Sequence, residues 1–414
     1  MIEKALLVGV KLPLEKTFEI KDRLSELKDL TETAGAKVSS EIIQNTDKIS
    51  SAFFLGKGKA YELKDIVAKE NIDVIIFNND LKPVQQRNLE DITGTKIIDR
   101  TTLILDIFAK RARTREGQLQ VELAQLLYLL PRLTGKGVLL SRLGGGIGTR
   151  GPGEQKLEID RRRIRDRIRH LKNDIEHVRE HRGLHRKSRQ EIPLTTIAII
   201  GYTNTGKSTL LNRLTSADVL VEDKLFATLD PTTRKLSLPN GGNVLLTDTV
   251  GFLRELPVHL IAAFKATLEE VTEADLLLHI VDISNNNYKG QMDTVDKILS
   301  GLMADKKPVI TVFNKIDTID KLILKRAVEN NTGSVGISAL TGEELDKLIC
   351  KIEEFIEKNR KLIKIALPYS RGDIKSIVYE YGNIISEVYE DSKVIIEAKI
   401  DDKLYNRLKP YILK

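Results

Sequence analysis

One stretch constrains this chain more than any other. The apolar run 195-TTIAII-200 leads into Gly201-Tyr202-Thr203-Asn204-Thr205-Gly206-Lys207-Ser208, and 209-TLLNRLT-215 follows with a helical pattern. This is G-x-x-x-x-G-K-S in the strand-to-helix context that the motif requires. Glycines at those positions let backbone N–H groups curl around phosphates, helped by the positive end of the helix. Lys207 then reaches the β- and γ-phosphates, and the Ser208 hydroxyl is placed to ligate Mg²⁺. The stretch therefore predicts a P-loop domain: a mostly parallel sheet with helices on both faces.

Three further motifs follow in the order such a domain needs. In 244-VLLTDTVG-251, Asp248 ends a strand and Thr249-Val250-Gly251 follow. The carboxylate is expected to hold Mg²⁺ through water, and the Gly251 N–H to sense a γ-phosphate. In 309-VITVFNKID-317, Asn314-Lys315-Ile316-Asp317 follow a buried strand. A carboxylate there accepts both N1–H and N2–H of guanine, which adenine cannot offer, so the site rejects adenine strongly. In 336-GISAL-340, Ser338-Ala339-Leu340 can turn a backbone N–H toward guanine O6. Together these imply a GTPase that binds GTP and GDP, with Lys207, Thr228 and Gly251 as the residues closest to the chemistry. Thr228 enters from the loop 225-LFATLDPTTRKL-236, the expected place for a segment that closes on the γ-phosphate. Its hydroxyl is the candidate second Mg²⁺ ligand, with Thr232 and Thr233 as the alternatives.

Two positions shape the expected mechanism. Phe252 follows Asp-Thr-Val-Gly, where a Ras-like site has its water-orienting glutamine. A phenyl ring cannot orient water by hydrogen bonding, so intrinsic hydrolysis is expected to be slow and stimulated by a partner. Asn204 could hold a K⁺ ion beside the phosphates in place of an arginine finger, or simply stabilise its loop; the sequence leaves both readings open.

The rest of the 414 residues supplies other domains. Residues 1–113 alternate strand-like pieces such as ALLVGV and IDVIIFNN with helix-like ones such as EIKDRLSELKDL, an α/β pattern. Residues 114–190 read as a long antiparallel helical hairpin. Its first arm is the apolar 117-GQLQVELAQLLYLLPRL-133. Its second arm repeats Leu157, Ile164, Ile168, Leu171, Ile175 and Val178 as a seam for a partner helix. The P-loop domain spans 191–361, and 362–414 reads strand, helix, two strands, helix, a small α+β domain. The fold class is thus α/β and multidomain.

Net charge is +7, and Ser141–Gln190 alone holds 15 Lys and Arg against 7 Asp and Glu. That local excess suggests a polyanionic partner, nucleic acid ahead of membrane. One cysteine, Cys350, excludes a disulfide framework and is expected in the core. His170, His177, His181 and His185 recur on one helix but stand among Arg169, Arg182 and Arg186, which suits a polar surface better than a metal site. No apolar run approaches membrane-spanning length and no secretory signal opens the chain, so a cytoplasmic, monomeric protein without membrane insertion is expected.

These motifs, with 99-DRTTLILDIFAKRARTREGQLQVELAQL-126, 144-GGGIGTRGPGEQKLEIDRRRI-164 and 226-FATLD-230, resemble the HflX family of ribosome-associated GTPases in the Obg–HflX group. The resemblance runs over essentially the whole chain. It implies binding to the large (50S) ribosomal subunit near the peptidyl-transferase centre, and splitting or rescue of stalled or stressed 70S ribosomes. It also makes Phe226, Ala227, Thr228, Leu229 and Asp230 a nucleotide-contacting loop, which favours Thr228 over its neighbours. An RNA-binding GTPase in large-subunit assembly and a nucleotide-sensing binding module are the competing readings.

On the ribosomal reading, the glycines of the hairpin tip allow close backbone approach to rRNA, and Lys and Arg supply salt-dependent phosphate attraction. The candidate contacts are Arg142, Gly144, Gly145, Gly146, Gly148 and Arg150 at the tip, with Arg161, Arg162 and Arg163 on the outgoing helix. Some arginines of that helix are expected to pair with Glu158, Asp160 and Asp166 instead. Gly146-Ile147-Gly148-Thr149-Arg150-Gly151 also satisfies G-x-G-x-x-G, but a dinucleotide turn needs a second strand within about thirty residues. Here a long helical pattern follows, and the match is accidental.

Overall fold

The computed structural model describes residues 2–133, 152–190, 194–215, 225–240, 242–254 and 265–413. The tip positions 142, 144–146, 148 and 150 lie outside that set. The chain divides into two compact units, one of them comprising residues up to His177 together with 225–229.

The first unit is built on a parallel sheet of β1 (Lys4–Lys11), β2 (Lys37–Asn45), β3 (Val74–Phe77) and β4 (Lys96–Asp99) in the order β2-β1-β3-β4. Ala5 to Val10 of β1 are buried without alternation, as expected of a strand covered on both faces. Helix α1 (Thr17–Ala34) buries Ile20, Leu24, Leu27, Leu30 and Thr31, one apolar stripe at helical spacing, and ends at Gly35 in the left-handed region. Helices α2 (Lys57–Glu70), α3 (Pro83–Thr93) and α4 (Arg100–Arg111) complete the α/β alternation.

The sheet edge carries its own polar anchor. Asp99, 1% exposed, ends β4 and caps α4 by accepting from the Thr102 N–H at 2.9 Å. The same carboxylate accepts from Tyr128 Oη and, at 3.2 Å, from Arg132. Tyr128 lies on α5 (Arg115–Leu129) and Arg132 just beyond it, so Asp99 pins the end of that helix to the sheet. Burial and the nearby Asp99 charge push the Tyr128 phenol well above its ordinary value.

A helix of 39 residues, α6 (Pro152–Gln190), follows the undescribed segment. Ile168 and Leu171 are buried, while Ile164, Ile175 and Val178 are half-buried, so these five positions of the apolar repeat mark a packed face; the Leu157 side chain lies outside the described residues. Arg167 of α6 grips Glu122 of α5 with two hydrogen bonds of 2.7 Å. Several other arginines pair within α6: Arg165 with Glu158 at 3.2 Å, Arg169 with Asp166 at 3.0 Å, and Arg161 and Arg163 more loosely at 3.9 Å. Arg162 is exposed and has no ion pair among the described residues.

The second unit contains a six-stranded sheet ordered β10-β9-β8-β5-β7-β6, with β5 (Thr195–Gly201), β6 (Thr232–Ser237), β7 (Asn243–Asp248), β8 (Leu276–Asp282), β9 (Val309–Asn314) and β10 (Val335–Gly336). Only β6 runs antiparallel, against β7. Ile197, Ile199, Leu246, Leu278 and Val312 on one face pack against α7 (Lys207–Thr215) and α11 (Leu345–Asn359) through Leu210, Leu211, Leu348, Ile352 and Ile356. Helices α8 (Lys265–Glu273), α9 (Tyr288–Gly301) and α10 (Lys321–Glu329) complete the domain.

Cys350 corrects an expectation, for it is exposed. It sits two residues from Leu348 and Ile352 on α11, about 200° around the helix from each, and so faces away from the buried stripe.

A three-stranded antiparallel sheet, β11 (Lys361–Pro368), β13 (Lys393–Ile400) and β12 (Asn383–Glu390) in that order, forms the C-terminal part with α12 (Gly372–Tyr381) and α13 (Asp402–Leu408). Lys403 bonds Asp275 at 2.9 Å and the Leu194 carbonyl at 3.1 Å, tying this part to the start of β5 and β8. Among the described residues no helix is long and apolar enough to cross a membrane.

Candidate nucleotide-binding site

Strands β5, β7 and β9 are parallel, so the loops leaving their carboxyl ends gather at one edge of the sheet. Gly201–Ser208 follows β5, Asp248–Gly251 closes β7, and Asn314–Asp317 closes β9. This is the edge at which open α/β sheets bind ligands.

The P-loop and the loop after β7 are stitched together. The Thr203 N–H donates to the Phe252 carbonyl at 2.9 Å, and the Phe252 N–H donates to Gly201 at 3.0 Å. The Arg254 N–H donates to Tyr202 Oη at 3.0 Å, a side-chain link that sequence alone did not suggest. Gly251 lies so close that a Cβ there would come within 2.8 Å of Thr203 Cα and 3.0 Å of Lys207 Nζ. No other residue fits at 251 without displacing the loop. Phe252 is 1% exposed, its ring in the core and no polar group of its side chain at the site.

Lys207 is buried, and its ammonium donates to the Tyr202 carbonyl at 2.6 Å. Burial lowers its pKa to about 8, against the opposing pull of the Asp248 carboxylate. Ser208 Oγ lies 2.6 Å from Asp248 Oδ2, and Asp248 is fully buried. A hydroxyl and a carboxylate held together are hard oxygen donors of the kind Mg²⁺ prefers, and the pair fits that ion. Thr203 Oγ1 is buried with no hydrogen-bond partner among the described residues, a polar atom that an incoming phosphate could satisfy.

Asn314 joins the P-loop to the loop after β10. Its Nδ2 donates to the Thr205 carbonyl at 2.7 Å, and its Oδ1 accepts from the Ala339 N–H at 2.9 Å. Gly206 is left-handed at φ +90, and a Cβ there would strike Asn314 Nδ2 at 2.3 Å, so glycine is required twice over. The Ala339 N–H is thereby committed, leaving the exposed Leu340 as the residue of 338–340 whose N–H is free to meet a base among the described residues. Ser338 is buried and supports the turn by accepting from the Thr341 N–H. Lys315 is left-handed and starts the short turn Ile316–Thr318 that carries the exposed Asp317. Its ammonium lies 2.7 Å from Asp282 at the end of β8. Asp282 escaped the sequence reading; the signal available was an acid ending a buried strand, as Asp248 does.

Asn204 is exposed and left-handed at φ 59. Thr233 hydrogen-bonds Thr247 across β6 and β7 at 3.0 Å, a sheet contact that occupies its hydroxyl. Phe226 and Leu229 are buried in the first unit, and Ala227 and Thr228 are half-buried with them. There the Phe226 ring meets Phe108 of α4 edge-on at 4.6 Å, and the Leu225 N–H donates to Thr33 of α1 at 3.2 Å.

Comparison with known proteins agrees along the chain. Residues 21–109 match a family model described as GTP-binding GTPase N-terminal, and 111–189 one described as GTP-binding GTPase Middle Region. Residues 196–315 match a model described as 50S ribosome-binding GTPase. The GTPase HflX of Caldanaerobacter subterraneus subsp. tengcongensis is 51% identical over 89% of this chain and 84% of its own length. That of Lacrimispora saccharolytica is 53% identical over 87% of this chain and 84% of its own. The GTPase HflX of Escherichia coli K12 is 41% identical over 91% of this chain and 88% of its own.

Proposed function

The chain belongs to the HflX family of GTPases, and from that premise we propose that it couples GTP hydrolysis to the large ribosomal subunit, splitting or rescuing stalled 70S ribosomes. The observation that carries the catalytic part is the gathering of the Lys207, Ser208, Asp248 and Asn314 side chains at the P-loop, with Lys207 donating to the Tyr202 carbonyl, Asn314 to the Thr205 carbonyl and Ser208 to Asp248. On this reading Lys207 and the P-loop N–H groups bind the phosphates. Ser208 and, through water, Asp248 would hold Mg²⁺, which would supply positive charge against the phosphates. Thr228 brings a second hydroxyl as its loop closes, and the Gly251 N–H meets the γ-phosphate. Asp317 reads the guanine edge.

Phe252 sets the pace. With its ring in the core, no side chain at that position orients water, so turnover in the isolated protein is slow and rises when a partner orders the loops. Asn204 either holds K⁺ or supports its loop; equal turnover in K⁺ and Na⁺ removes the cation.

The ribosomal part rests on the family and on α6. Arg162 is exposed, and Arg163 is 79% exposed with only a 3.9 Å pair, so both remain available to RNA phosphates near the peptidyl-transferase centre. The glycine-rich tip would complete that contact. A variant shortened at 144–151 tests the division of labour: basal hydrolysis survives and ribosome splitting is lost. Loss of both activities contradicts it. Stimulation by free large subunits without splitting would instead favour a role in subunit assembly.

A further inference from the structure

We infer that Asp282 is a positioning residue for guanine recognition and acts through Lys315. The inference rests on the reading of Asp317 as the residue that accepts from guanine N1–H and N2–H.

Asp282 ends β8 directly beside Asn314 in the parallel register, and the next residue, Ile283, donates its N–H to the Asn314 carbonyl at 3.2 Å. Its carboxylate is held on two sides. Oδ1 accepts from the Ser284 N–H at 3.0 Å and from Ser284 Oγ at 2.5 Å, while Oδ2 meets Lys315 Nζ at 2.7 Å. The Asp282 side chain is 14% exposed and that of Lys315 32%, so this pair is shielded from water in a way that most surface pairs are not.

Lys315 has φ 65 and ψ 36, a left-handed conformation that a side chain with a Cβ seldom adopts. Its carbonyl accepts from the Thr318 N–H at 3.1 Å and from Thr318 Oγ1 at 2.8 Å, closing the turn that presents Asp317. The orientation of Asp317 therefore depends on Lys315 keeping an unusual backbone geometry. A fixed carboxylate that grips the lysine head restrains the side chain that leaves this backbone position. Asp282 touches neither base nor phosphate on this account.

The test is a double-mutant cycle on GDP affinity with Asp282→Asn and Lys315→Met. Asparagine keeps the shape and an acceptor for Ser284 but loses the charge. The expected result is a rise in the Kd for GDP of about tenfold in D282N, the equivalent of one charge-assisted contact. The loss appears in KM for GTP more than in kcat, and D282N adds nothing in the K315M background. Unchanged GDP affinity in D282N, or effects of the two substitutions that simply add, overturns the inference. Should D282N fail to fold, Ser284→Ala removes one anchor of the carboxylate and leaves the charge. A smaller rise in Kd supports the inference, and an unaltered Kd sinks it. Wild-type protein assayed with GDP and ADP separates the two levels of the argument, because failure to prefer GDP there defeats the reading of Asp317 itself.

Discussion

Ser208 Oγ donates to Asp248 Oδ2 at 2.6 Å, so the two side chains expected to flank Mg²⁺ are bonded directly to each other. Holding the ion would cost that bond, with Ser208 as the direct ligand and Asp248 reaching the ion through water. Ser208→Ala removes the hydroxyl that donates to the carboxylate. We expect turnover to fall by about 10²-fold, in the range seen when one preorganised electrostatic group is lost, and more Mg²⁺ to be needed for half-maximal rate. A Mg²⁺ titration of GTP hydrolysis checks this. An unshifted midpoint with normal turnover would remove Ser208 from the metal site.

Asp317 is exposed on its turn and carries the base specificity in this account. Asp317→Asn loses two charge-assisted hydrogen bonds to guanine, each contributing about 1.5–3 kcal/mol. GDP affinity should fall by about 10²-fold or more. Xanthosine diphosphate, whose C2 oxygen can accept from the new amide, should bind the variant better than it binds the wild type. Competition between the two nucleotides measures both changes. A variant that still prefers GDP as strongly as the parent assigns recognition elsewhere.

How far these contacts could be read in advance depended on their range along the chain. The P-loop needs only local residues, glycines, a lysine and a serine between an apolar strand and a helix, so its geometry was legible in the sequence. The same holds for the strand-ending Asp248 and for the apolar face of α6. Tyr202 with Arg254, Lys315 with Asp282, and Asp99 with Tyr128 and Arg132 join residues 29 or more positions apart, and no periodicity announces which of many polar residues will meet. Cys350 was misjudged for a different reason. Residue type suggested burial, but the stripe Leu348, Ile352 and Ile356 on the same helix decides which side faces inward.

His279 lies buried in the middle of β8, and burial, with the Lys207 charge as a smaller contribution, lowers its pKa from 6.5 to about 4. The imidazole is neutral in the folded protein while the unfolded chain protonates it near its ordinary value. Between those two pH values the unfolded state binds more protons, so the stability is present above 6.5 and lost as pH falls toward 4. The span corresponds to about 3 kcal/mol. Melting temperatures of wild type and His279→Leu between pH 7.5 and 5 should diverge in slope, with the leucine variant the less sensitive to acid. Parallel slopes would contradict the buried neutral state.

Phe226 is 2% exposed although its backbone is left-handed at φ 55, a conformation costly for an aromatic residue and maintained here by contact with Phe108. Phe226→Ala deletes the ring and should cost the segment about 3 kcal/mol of local stability. Amide hydrogen exchange over 225–229 reports it directly. Faster exchange confined to that segment and its contacts on α1 and α4 is expected, and unchanged protection would show that the ring does not hold the loop.

The claim on which the rest depends is that this GTPase works on the ribosome. Its most direct test is multiple-turnover GTP hydrolysis with and without 70S ribosomes, read together with the 70S peak in a sucrose gradient. The account predicts slow hydrolysis alone, a large increase with ribosomes, and loss of the 70S peak when GTP is present. Hydrolysis that is the same with and without ribosomes, alongside an intact 70S peak, would contradict it.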